Sequence, residues 1–162
     1  MSRLIPNENT WVGWLPASGT LVDYTAPKAS EVAAATELTG FLISLNASSR
    51  GNSVPTPTID SLFETSINGT AAATFEADFY RDDENDDAWE SFPRGTEGWF
   101  FISRFGGSGT DRLPVADDPV EVWPVFVTSR TASNLASNTA QMFTLSCAVR
   151  IEPAEDAVVE TG

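Results

Sequence analysis

From Thr70 to Tyr80 the chain reads TAAATFEADFY, and an alternation this regular constrains the backbone to a strand with one dry and one wet side. Ala71, Ala73, Phe75, Ala77 and Phe79 fall on one face, and Thr70, Ala72, Thr74, Glu76 and Asp78 on the other. Residues 142–152, MFTLSCAVRIE, repeat the design. Phe143, Leu145, Cys147, Val149 and Ile151 point inward; Thr144, Ser146, Ala148 and Arg150 point outward. Two such strands imply sheets that are wet on one side and buried on the other. Cys147, on an inward face, reads as a small core hydrophobe and not as a reactive thiol.

Further strands follow from shorter signals. Runs that are apolar on both faces occur at 98–105, GWFFISRF, and at 120–129, VEVWPVFVTS. Each is expected to be covered on both sides or to lie at a subunit contact. Pro124 cannot donate to a ladder, so the second run is expected at an edge or at a bulge. NTWVGWLP and TLVDYT suggest a first pair around ASG, and GFLISLN (40–46) and IDSLFETSI (59–67) suggest two more strands. NGT at 68–70 is a turn signal. Helix is scarce. ASEVAAATEL (29–38) has room for a turn or two, and a short flanking helix is expected over about 83–92. Asp82 or Asp83 would cap it, Ala88, Trp89 and Phe92 would form its apolar stripe, and Pro93 would end it. The expected fold is mainly β: about eight strands and one or two short helices in a single domain over 1–162. NASSRGNSVPTPT (46–58) and FGGSGTDRLPVADDP (105–119) read as long polar loops, a length that is usually functional or mobile. EPAEDAVVETG reads as a frayed tail or as an arm that orders against a neighbour.

Composition narrows the function. With 162 residues and 41% hydrophobic content the chain can build one core. No apolar run is long enough for a membrane helix, and MSRLIPNENT lacks a signal-peptide core, so use without secretion is expected. There is no histidine and one cysteine. That removes His-based nucleophile arrangements, an internal disulfide and most zinc sites. The net charge of −14 excludes binding to nucleic acid through phosphate neutralisation. It suits a surface past which a polyanion must slide.

Chemical motifs are weak. In RDDENDDAWE the calcium-loop pattern matches at Asp83, Asn85 and Asp87 but fails where it is most specific, at Ala88 and Arg94. A capped helix start explains the same acids. Glu76 and Asp78 share a strand face, the geometry of an ordinary solvated surface more than of a glycosidase pair. The tryptophans at 11, 14, 89, 99 and 123 are numerous enough to stack on sugars. Trp11 and Trp14, however, lie on opposite strand faces, and Trp99 and Trp123 sit inside apolar runs. The acceptor-like NAS and NGT triplets carry no weight without secretion. No cofactor or metal is expected.

The order of segments is more informative. TLVDYTAPKASEVAAATELTGFLIS is followed by TPTIDSLFETSINGTAAATFEADFYRDD, then GTEGWFFISRFGG, VEVWPVFVTS and EPAEDAVVE. FEADFYRDD, GTEGWFFISR and VEVWPV are its most telling pieces. This succession, over roughly 10–160, resembles the major tail tube proteins of long, non-contractile-tailed bacteriophages (siphophages), especially those of actinobacterial hosts. The resemblance implies a β-sandwich or half-barrel with one flanking helix, no enzymatic activity, and a place in the virion after assembly in the host cytoplasm. It also implies six copies per ring, inner strands joined across subunits into one barrel, and rings stacked into a channel for DNA ejection. Six copies would carry about −84 (six times −14). Expected partners are further copies of the chain and the tail terminator, tape-measure and distal tail proteins, with DNA passing unbound.

On this reading Thr74, Glu76, Asp78, Thr144 and Ser146 are the candidate lumen residues. Ser48, Arg50, Asn52 and Pro55 belong to a candidate inter-ring loop, and Trp99 and Trp123 are candidate subunit-contact aromatics. Residues 1–9 and 152–162 would be terminal arms. Arg150 departs from an acidic lining, so it is expected either to pair with a carboxylate or to lie off the channel. The rivals are a tail terminator or head–tail joining ring, a carbohydrate-binding β-sandwich with an exposed aromatic platform, and a carboxylate hydrolase with two close acids in a cleft.

Overall fold

The computed structural model describes residues 9–19 and 21–162. Eight strands form: β1 (Trp11–Pro16), β2 (Thr36–Glu37), β3 (Leu42–Pro55), β4 (Ser66–Tyr80), β5 (Glu97–Ser103), β6 (Pro119–Ala132), β7 (Met142–Val149) and β8 (Ala154–Val158). Two short helices, α1 (Ala29–Ala33) and α2 (Asp87–Glu90), complete the described chain with two 3-10 turns. All strands belong to one antiparallel sheet in the order β2-β1-β5-β6-β7-β4-β3, with β8 added to β6.

The sheet curls over itself as a half-barrel, because its inward faces are aromatic. Phe75 on β4 stacks on Phe100 of β5 with centroids 4.5 Å apart, although two strands separate them in the sheet. Trp14 on β1 meets Phe100 at 4.8 Å and Phe92 at 5.0 Å. Phe79 and Phe143, adjacent across β4 and β7, stack at 5.3 Å. These rings, with Trp123, Val125, Val127 and Leu145, make the main core. A smaller core on the other side of β1, β5 and β6 gathers Trp11, Leu15, Phe101, Val120 and Val122 under Val32 of α1 and Ala157 of β8. β5 and β6 are thus covered on both faces, and Trp11 and Trp14 do part to opposite sides. Gly98 sits where β5 passes under Trp14. A Cβ there would lie 2.6 Å from the indole, so only glycine allows the ring to close over the strand.

Several sequence expectations are corrected. The stretch 46–58 is not a loop: residues through Pro55 are β3, paired with β4 from Leu42↔Phe79 to Pro55↔Ser66. Hydropathy misses it because beyond Ala47 it buries almost nothing and is held by ladder hydrogen bonds. IDSLFETSI is mostly the hairpin turn, closed by Thr56 N donating to Thr65 O at 2.8 Å. NGT lies inside β4, next to the register shift that leaves Asn52 between Gly51 and Ser53. Residues 21–25 of TLVDYT are not a strand, since Asp23 turns the chain by accepting from Thr25 N and Oγ1. The flanking helix is one turn, because Asp82 accepts from Glu84 N and Asn85 N in a preceding turn and helix starts only at Asp87.

Pro124 is not on an edge. It sits where β6 exchanges one neighbour for another, β8 up to Val122 and β7 from Val125, so its missing donor costs no regular ladder bond. The C-terminal segment is neither frayed nor dependent on a neighbour. Ala154–Val158 pair with β6, and Ala157 and Val159 are buried in the same subunit. Of the N-terminal arm, residues 1–8 lie outside the described residues.

Candidate functional site

The five candidate wall residues lie together on the wet face of β4 and β7, and the ladder register extends the set. One row runs Ser44, Asp78, Thr144, Thr131 across β3, β4, β7 and β6. The next runs Asn46, Glu76, Ser146, Ser129, and a third joins Ser48 to Thr74. Ser44, Asn46, Ser129 and Thr131 were missed because single-strand alternation does not say which strands are neighbours. Ser48 had been placed in a loop and belongs to this wall. Asp78 is fixed in its row: Ser44 Oγ donates to it at 2.9 Å and Thr144 Oγ1 at 2.7 Å. Its carboxylate is therefore held flat between two strands while Glu76 stands exposed. These three rows contain two acids, eight neutral polar groups and no cation. Arg50, opposite Ala72, follows on the arm beyond them.

Arg150 is drawn away from this wall. β7 ends at Val149, and the Arg150 side chain reaches Glu97 at 3.3 Å, the Gly98 carbonyl at 3.3 Å and the face of Trp99 at 5.6 Å. The first expectation for it holds: it pairs with a carboxylate, that of Glu97. Trp99 is partly exposed beneath that guanidinium. Trp123 is wholly buried in the main core and is corrected from a subunit contact to a core residue. The acids at 82–87 gather no metal-ligand group, and none is found among the described residues. Asp86 instead pairs with Arg81 at 2.5 Å, and Arg81 and Arg130 flank the Trp89 ring at 4.0 and 3.7 Å.

Burial pushes the Cys147 thiol up to about 12. At pH 8 such a thiol is almost entirely protonated, and the thiolate is the reactive form. Alkylation followed by mass spectrometry is expected to be slower by orders of magnitude in the native protein than in the urea-unfolded chain. Equal rates would mean the thiol is open and ionised.

The β3–β4 hairpin is the second notable feature. β4 loses its β7 neighbour at Phe75, whose partner is Cys147, and above that point the two strands pair only with each other. Residues 48–55 and 66–72 are exposed on both faces. At the tip Ile59 (109%), Leu62 (108%) and Phe63 (78%) stand in solvent, with Val54 and Ile67 also exposed. An apolar cluster on a projecting arm is the mark of a contact surface.

No curated protein matches the sequence. Solved structures do. The tail of an empty gene transfer agent particle, refined with C6 symmetry, superposes with a TM-score of 0.61 at 12% identity, covering 96% of this chain and 100% of that one. The virion of a native gene transfer agent gives 0.56 at 12% identity over 95% and 100%. The sixfold-symmetrised baseplate of the anti-feeding prophage gives 0.56 at 9% identity over 93% and 95%. At these identities the likeness shows the fold. The family is shown by sequence: the model described as phage tail tube protein matches residues 1–162. The full-length match therefore places this chain in the phage tail tube protein family, as a structural, non-enzymatic component of the virion.

Proposed function

We propose that six copies close into a ring, that rings stack into the tube of a long non-contractile siphophage tail of the actinobacterial-host type, and that the polar rows face its bore. The observation that carries this reading is the pair of open edges flanking those rows. On one side β3 has no outer neighbour among the described strands over Leu42–Pro55. On the other, β5 pairs with β6 only as far as Phe126, which leaves the edge of residues 128–132 unpaired among the described strands. Long open edges are liabilities in a free subunit. A head-to-tail contact between two different edges closes a ring when the rotation allows, and the same contact repeated makes a barrel without edges. The sixfold symmetry of the gene transfer agent tail supports six copies.

In that arrangement Asp78 and Glu76 repeat around the bore with hydroxyls between them. DNA phosphates would meet fixed acids and neutral donors, and no cation in those rows to hold them. The apolar hairpin tip, which no described residue of its own subunit covers, would dock on a second copy in the adjoining ring.

Electron microscopy of the purified protein and its parent particle tests the reading. Stacked sixfold rings are expected. Single rings that never stack would make the chain a terminator-type ring, and monomers alone would end the proposal. In the same particles the double variant Glu76→Lys, Asp78→Lys is expected to assemble and to slow or block DNA ejection. Normal ejection would remove these two residues from the bore.

A further inference from the structure

The hairpin arm poses a mechanical problem that the fold solves at one place. A two-stranded ribbon wet on both faces is marginal by itself, so something at its root must set its direction. Two side chains from the far side of the half-barrel reach that root. Arg104, just past β5, gives Nη2 to the Ala47 carbonyl at 3.3 Å, on the last rung that still has β7 alongside. Glu155, on β8, accepts from Ser49 Oγ at 3.1 Å, two residues further out. Arg104 is itself held by Glu121 of β6 through Nε and through Nη2, the latter at 3.2 Å. Glu121 also accepts from Trp123 Nε1 at 3.3 Å, which anchors the carboxylate to the core. Glu121's hydrogen bonds, together with the charges of Glu121 and Glu155, raise the Arg104 pKa above its ordinary value.

We propose that Arg104, Glu121 and Glu155 form an ionic clamp that fixes the angle of the β3–β4 arm against the body of the subunit, with Arg104 as the positioning residue. β3 is the last strand of the sheet, and the clamp ties it to β5, β6 and β8, none of which is its ladder neighbour. Beside the clamp a groove of ≈ 670 Å³ separates the arm from the β7–β8 connection, lined by Arg50, Ala72, Ile151 and Pro153 among others. The arm therefore has space to swing into when the clamp opens. That the arm bridges rings rests on the proposed function; the clamp itself does not.

Hydrogen exchange on the monomeric protein decides it. In Arg104→Ala the amides of 48–54 and 66–74 are expected to exchange about tenfold faster, while those of 98–102, 122, 123 and 125–127 keep their rates. Glu155→Ala should loosen the same amides by less, and it carries the test if Arg104→Ala does not fold, since Glu155 is exposed. Salt of about 1 M should loosen the wild-type arm and leave Arg104→Ala unchanged, a response that a merely packed arginine would not give. Unchanged arm exchange in the variants, or arm and body loosening together, would overturn the clamp. Failure of the rings to appear in microscopy would leave this result standing.

Discussion

The triple variant Ile59→Ser, Leu62→Ser, Phe63→Ser is expected to fold normally and to form no tubes. The three side chains stand at or near full exposure at the hairpin tip and take no part in either core cluster. Each replacement should shift monomer stability by no more than about 0.5 kcal/mol, as for other surface positions. Each side chain, once covered by a second copy, would contribute about 1.5–3 kcal/mol of apolar burial. A ring multiplies that loss by its number of subunits, so a modest change per contact becomes a large one per interface. Size-exclusion chromatography and thermal unfolding would check the monomer, and negative-stain microscopy the tubes. Tubes of normal length from a folded triple variant would assign the tip some other role.

The second large effect is in the core. Phe100→Ala is expected to lower stability by about 3–5 kcal/mol, the range for a large aromatic removed from a packed interior. Phe100 touches Phe75, Trp14 and Phe92 at centroid distances of 4.5, 4.8 and 5.4 Å and is fully buried. It is the point at which β4, β1 and the segment after α2 meet across the half-barrel. The loss should exceed what area alone predicts, because three ring contacts go with it. For a chain of this size the melting temperature would fall by roughly 6–20 °C. A shift under about 2 °C would mean that the sheet does not close on this ring. The two variants form a contrast: one abolishes assembly and spares the fold, the other weakens the fold from which assembly starts.

Legibility from sequence followed burial. β4 over 70–80 and β7 were readable to within a few residues, and their faces were assigned correctly at Phe75, Ala77, Phe79, Phe143 and Leu145. Each of those side chains is inside, and alternation records it. β5 and β6 were readable as strands apolar on both faces for the same reason, but covering within the subunit and a subunit contact remained equally open. The outer part of β3 was not, since Ser48, Ser49, Gly51 and Ser53 are exposed and their strand conformation comes from pairing with β4. The tip was misread as a strand because Ile59, Leu62 and Phe63 are hydrophobic, although their spacing does not alternate. β8 was misjudged because AVV is short, and its burial needs the open part of β6 that β7 leaves free.

Five members of the candidate wall were named from two strands before their neighbours were known. The rest of the wall, the hold on Asp78, the removal of Arg150 to Glu97 and the burial of Trp123 needed the register of four strands. What the order of residues determined by itself is the alternation of dry and wet side chains, the excess of negative charge and the lack of histidine, all of which are local or additive properties. Tertiary structure alone decided which wet faces become neighbours, which edges stay open and which arginine holds the arm, because those depend on contacts between residues tens of positions apart and on how far one sheet bends before its aromatic side meets itself.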